Sequence, residues 1–119
     1  MSGTDLLLKR FETPDEVRRF EKGIFEIIHV GGMTIGRATY EPGWVWSKHV
    51  GPGAGTQSCQ VEHVGMTVSG RCGVRMDDGR ELFLKPGDVF HVPPGHESWV
   101  EGNEPYVSIH FLGADTYTK

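Results

Sequence analysis

Cysteine is scarce in this sequence: Cys59 and Cys72 stand thirteen positions apart and outside any CxxC pair. That argues against a disulfide framework and against a structural zinc module built from clustered thiols, so both residues are expected to stay free. Positive charge is short as well. Twelve Lys and Arg against sixteen Asp and Glu leave a net charge of -4, and the basic residues are scattered instead of striped, so no nucleic-acid partner is expected. Long apolar runs are missing too. The opening stretch MSGTDLLLKRFE holds three consecutive leucines, far short of a secretion core or a membrane span. No membrane partner and a cytoplasmic location are the expectation.

What the chain has in quantity is punctuation. Seventeen glycines and seven prolines separate short runs rich in Val, Ile, Thr and aromatics, the texture of an all-β chain with many turns. Its length suits one domain. One helix start stands out at TPDEVRRFEKG: Thr13 as N-cap, Pro14 at the first helical position, Glu16 completing a capping box and Gly23 as the stop. The reading is therefore an N-terminal arm over 1–23 carrying a short helix, then a β domain over 24–119. Eight turn-bounded strands are predicted in it, over 24–30, 33–42, 61–70, 72–78, 80–85, 88–93, 97–102 and 105–112. MDDGRE and KPGD mark tight turns, and VGPGAGTQ (50–57) reads as a glycine-rich loop. Many short strands at this spacing predict a double-sheet jelly roll.

The strand SCQVEHVGMTVSGR poses the chemical question. Side chains alternate between faces, so His63, Gly65 and Thr67 share one face while Val64, Met66 and Val68 share the other. Three of the six histidines merit weight as metal ligands. His49 ends the aromatic strand segment GWVWSKH, His63 lies mid-strand, and His96 follows VPPG. Neutral imidazole is the commonest metal ligand, and residues from separate strands need no local spacing rule. Cys59 shares the parity of His63, but four residues of straight strand span about 13 Å. The two share an ion only where the chain bends, which makes His63 the better candidate. His29, His91 and His110 read as hydrogen-bonded core or surface histidines, Cys72 as inert, and Trp44, Trp46 and Trp99 as packing. Glu62 reads as an outward charge, and Arg37 and Glu41 as a solvated strand edge.

The stretch from EPGWVWSKHV to PGDVFHVPPGHESWVEGNEP resembles a small stand-alone cupin of the conserved-barrel type. HVGMTVSG stands where that family has its first motif and PGDVFHVPPGHESW where it has its second. Counting back from Gly70, His63 takes the place of the family's glutamate, with Cys59 and Gln57 in the places of its two histidines. In the second motif the histidine position is Ser98, and His96 stands directly after Gly95. The sequence thus departs from the family pattern at all four ligand positions. The resemblance implies a cupin-type double-stranded β-helix with the His63 face inside, and with Val64, Met66 and Val68 outside, covered by a second sheet or by the partner of a homodimer. It also implies one divalent transition metal held by His49, His63 and His96, with Cys59 as a fourth ligand or neighbour. Zn, Fe, Mn, Ni and Cu all suit such a set, and a thiolate tilts the choice toward zinc, iron or copper. The function implied is a metal-dependent enzyme acting on an oxygen-bearing small molecule. The alternative is a non-catalytic small-ligand binding or sensing module, since no carboxylate shares the inner face of the first motif.

Overall fold

The computed structural model describes residues 6–118. The first five residues of the predicted arm and Lys119, the last of the predicted domain, lie outside them. Nine strands follow one another: β1 (Glu16–Phe20), β2 (Gly23–Val30), β3 (Met33–Tyr40), β4 (His63–Ser69), β5 (Arg71–Met76), β6 (Glu81–Leu84), β7 (Val89–Val92), β8 (His96–Glu101) and β9 (Tyr106–Leu112). All pairings are antiparallel. A six-stranded sheet in the order β1-β2-β3-β9-β4-β7 faces a three-stranded sheet in the order β6-β5-β8, which is the jelly-roll barrel expected. Each of the eight predicted strands is present within two residues of its expected ends. The turns also form where glycine was placed for them. Gly79 at φ 95° closes MDDG, and Gly87 at φ 91° closes KPGD, where Asp88 accepts from the Lys85 N–H at 2.9 Å.

Two local expectations are overturned. The predicted helix after Thr13 is strand β1, paired residue for residue with β2 from Glu16 opposite Ile27 to Phe20 opposite Gly23. Asp15 leads it in: its N–H donates to the Ile27 carbonyl at 2.8 Å, and its carboxylate accepts from the His29 N–H at 2.7 Å. Capping signals are worth about 1 kcal/mol, and a two-turn helix is marginal in water. A full ladder along an existing sheet edge outweighs them, and Lys22 at φ 62° makes the tight hairpin. The second correction concerns the aromatic segment and the glycine-rich loop. Instead of strand and open loop they form two single-turn helices, α1 (Trp46–His49) and α2 (Gly51–Ala54), with the Val45, Trp46, Val50 and Gly51 carbonyls accepting from N–H groups three or four residues on.

The core fills the barrel. Phe25, Ile27 and Ala38 on β2 and β3 are fully buried, and the Tyr40 ring stacks on Trp44 at 3.8 Å with the planes 4° apart. On β4 the buried set is His63, Gly65 and Thr67, whereas Val64 and Met66 are half-buried and Val68 is exposed. The parity read from the sequence holds: the polar face looks into the lumen.

Candidate metal centre

Cys59, His63 and His96 come together in the lumen, all three buried, with ligand atoms that lie within 4.8 Å of one another. Cys59 is not on the line of β4. It forms an isolated bridge with the first residue of β8: the Cys59 N–H donates to the His96 carbonyl at 2.7 Å, and the Gly95 N–H donates to the Cys59 carbonyl at 2.7 Å. The chain leaves that bridge and bends through residues 60–62 before β4 begins at His63. That bend overturns the 13 Å separation expected for a straight strand, since Cys59 Sγ lies 3.7 Å from His63 Nε2. Asp77 pins the bridge from outside. Its carboxylate accepts from the Ser58 hydroxyl at 3.0 Å, and its N–H donates to the Gly95 carbonyl at 2.9 Å.

The donor set fits a transition metal on three observations. Two ligands of a tetrahedral zinc, one sulfur and one nitrogen, stand about 3.5 Å apart for the usual bond lengths, close to the observed Cys59–His63 spacing. His96 is oriented as an outer-shell partner orients a ligand. Its Nδ1 lies 2.8 Å from the Pro93 carbonyl, which can only accept, so the proton sits on Nδ1 and the Nε2 lone pair is free. Both histidines are already neutral. Burial holds His63 well below the ordinary imidazole value, helped by His110 and His96 nearby, and burial lowers His96 as well. The thiol is the proton to be displaced, because burial pushes Cys59 up to about 11. A thiol that basic is a poor nucleophile without a metal, which argues against a Cys–His nucleophilic pair.

His49, expected as a third histidine ligand, stands outside this group. Its Nδ1 accepts from the Val45 N–H at 2.9 Å, which uses the lone pair and puts the proton on Nε2, 3.5 Å from the Glu21 carboxylate. The single-turn helix α1 makes that bond, and neither ring nitrogen is left to coordinate. In the opposite direction, His110 was assigned no more than a structural role, yet it lies in the lumen. Its ring centre is 5.0 Å from that of His63, Nε2 is 2.9 Å from the Ser108 hydroxyl, and Nδ1 is buried without a partner, as is His63 Nδ1. The signal was available in PYVSIHFL. Tyr106, Ser108 and His110 alternate with Val107, Ile109 and Phe111, the same inverted pattern as β4, and the polar set is the buried one. His29 and His91 are exposed, paired with Thr34 and Glu62.

Two cavities meet at this group. The lumen beside His63, His96 and His110 has about 40 Å³ of free space, and a vestibule of about 450 Å³ has Cys59, His49 and Arg19 on its wall. Tyr117, from the C-terminal turn, lines both.

No protein-family model and no curated protein sequence matches the chain. Solved structures do. A protein of unknown function from Rhizobium leguminosarum aligns over 75% of this chain and 78% of its own, with TM-score 0.56 and 21% identity. A sugar phosphate isomerase from a cupin superfamily, from Silicibacter pomeroyi, aligns over 76% and 58%, with TM-score 0.53 and 16% identity. Procruciferin, an 11S globulin from Brassica napus, aligns over 88% and 30%, with TM-score 0.59 and 16% identity. At these identities the likeness shows the fold alone: the barrel is of the cupin type.

Proposed function

We propose that the protein is a metal-binding cupin whose lumen takes one divalent transition ion on Cys59, His63 and His96, and that the loaded protein acts on an oxygen-bearing small molecule. The observation that carries this is the convergence of three buried donors, with His96 already presenting its free nitrogen. The bound ion supplies Lewis acidity at an open coordination position. The chain's part is to hold that position dry, keep His63 and His96 neutral, and release the Cys59 proton when the ion enters. A second reading is a small-ligand binder without turnover. It is favoured by the small size of the lumen, about 40 Å³, and by Glu97, whose carboxylate is engaged with the Ser47 and Ser98 N–H groups.

The test is elemental analysis of untagged protein beside single Ala variants. The expected result is close to one ion per chain, lost in Cys59→Ala, His63→Ala and His96→Ala and retained in His49→Ala. Loss of a ligand should weaken binding by more than the roughly 10–100-fold typical of an outer-shell partner. Metal content that does not fall in His63→Ala would sink the site.

A further inference from the structure

Among the described residues beyond Leu112 none lies in a helix or strand, yet Tyr117 is buried inside the barrel. The turn starts at Gly113, φ 93°, where a Cβ would fall 2.2 Å from the Glu62 carbonyl oxygen, so only glycine fits. The Thr116 and Tyr117 N–H groups donate to the Gly113 carbonyl at 3.4 and 3.1 Å. Arg18 on β1 latches the turn by donating to the carbonyls of Ala114, Asp115 and Tyr117. One glycine hinge, one guanidinium latch and one ring hold the segment.

The ring sits in a fitted slot. His63 meets it edge-on at 4.8 Å and 87°, Phe25 meets it at 5.1 Å and 80°, and His110 lies nearly parallel at 6.1 Å. Its hydroxyl is 2.6 Å from that of Tyr40, and burial keeps both phenols neutral by raising them well above their ordinary value. Small-molecule pockets span roughly 300–1,000 Å³. With Tyr117 in place the lumen's 40 Å³ admits water and no substrate, although the vestibule lies directly behind the same ring. Tyr117 lines both cavities and so stands between the vestibule and the lumen's His63 and His96.

We propose that the space filled by Tyr117 is the small-molecule subsite of this protein, that it takes a hydroxylated aromatic ring, and that the C-terminal turn is its internal competitor. This deepens the small-molecule part of the function proposed above and rests on the same lumen. The slot selects for a ring by its three aromatic walls and for a hydroxyl by Tyr40, whose own hydroxyl is left unpaired by a ligand lacking one. While the turn is latched, apparent affinity is lowered by the fraction of molecules in which it is open.

The probe is p-cresol, the tyrosine side chain as a free molecule, titrated by calorimetry into chelator-treated full-length protein. Arg18→Ala, with the latch removed, should bind p-cresol at least ten-fold more tightly than wild type, and Tyr117→Ala more tightly still. Toluene, which lacks the hydroxyl, should bind Tyr117→Ala at least ten-fold more weakly than p-cresol, and Tyr40→Phe added to that variant should narrow the gap. Equal affinity of wild type and Arg18→Ala overturns the competitor role. Equal affinity for toluene and p-cresol, or no p-cresol binding to a Tyr117→Ala protein with native circular dichroism, overturns the ligand class. If Tyr117→Ala does not fold, the Arg18→Ala comparison and its own toluene control decide both points. The assay contains no metal, so failure of the metal site leaves its outcome standing, and the converse holds.

Discussion

Two halves of one six-stranded sheet face the same lumen and are built in opposite ways. On β2 and β3 the inward residues are Phe25, Ile27, Ala38 and Tyr40, so the buried face is almost wholly apolar. On β4 and β9 the inward residues are His63, Gly65, Thr67, Tyr106, Ser108 and His110, mostly polar, and two of the histidine ring nitrogens have no partner. Burying unpaired polar groups costs free energy, whereas a packed aromatic returns it. The first half therefore supports the second. Apolar packing is concentrated on β2 and β3, and the histidines of β4 and β9 carry unpaired ring nitrogens.

That division breaks most visibly at Phe25. Its ring packs over Gly36, where even a Cβ would fall 2.2 Å from it, and it meets His110 and Tyr117 edge-on. Phe25→Ala is expected to cost about 3–5 kcal/mol by urea denaturation, a large share of the roughly 5–15 kcal/mol that holds a domain together. The folded fraction should keep its metal. His63→Ala should show the reverse, with the metal lost at a smaller cost in stability. If Phe25→Ala lowers metal content per folded molecule as far as His63→Ala does, the two halves are not separable and the comparison fails.

Acid sharpens the same contrast. Burial, with His96 nearby, holds His110 down to about 4, against about 6.5 for a histidine in the unfolded chain. Between those values the unfolded chain binds a proton that the folded chain refuses, so acid favours unfolding. The contribution is full above about pH 6.5 and is lost as the pH falls to 4, worth about 3 kcal/mol from this residue. His63 is lowered by the same cause and acts in the same direction. Urea melts of metal-free protein across that range should therefore show stability falling toward acid, and less steeply in His110→Asn. Parallel curves for the two proteins would remove His110 from the account.

The same inverted strands explain what could be read in advance. On β4 the polar parity, together with the register counted from Gly70, put His63 and Thr67 inside, and the structure has them there. On β9 the pattern was equally plain, but His110 sat among large apolar residues and was read as an ordinary packed histidine. Local signals failed where longer-range pairing decided. TPDE is a sound cap, yet β2 offered β1 a full ladder. His49 had the right chemistry, and a turn of α1 spent its lone pair on Val45. Cys59 was discounted by a distance that assumed a straight strand, and the bridge to His96 bends the chain. A bend of three residues leaves no trace in alternation, so the meeting of Cys59 with His63 was not legible in the sequence.

The smallest expected effect marks how far the polar half tolerates change. Thr67 is buried on β4, and its hydroxyl lies 2.8 Å from that of Tyr106. Val has nearly the shape of Thr and lacks the oxygen, so Thr67→Val removes one neutral hydrogen bond and opens no cavity. Such a bond is worth about 1 kcal/mol net, and more when its partner is stranded in a dry interior. Thr67→Val should therefore cost about 1–3 kcal/mol in urea melts, because the Tyr106 hydroxyl is left in a buried site. Thr67→Val combined with Tyr106→Phe should cost less than the two single changes together, because the double variant removes both partners and leaves neither unpaired. Strict additivity would mean that the two hydroxyls do not depend on each other.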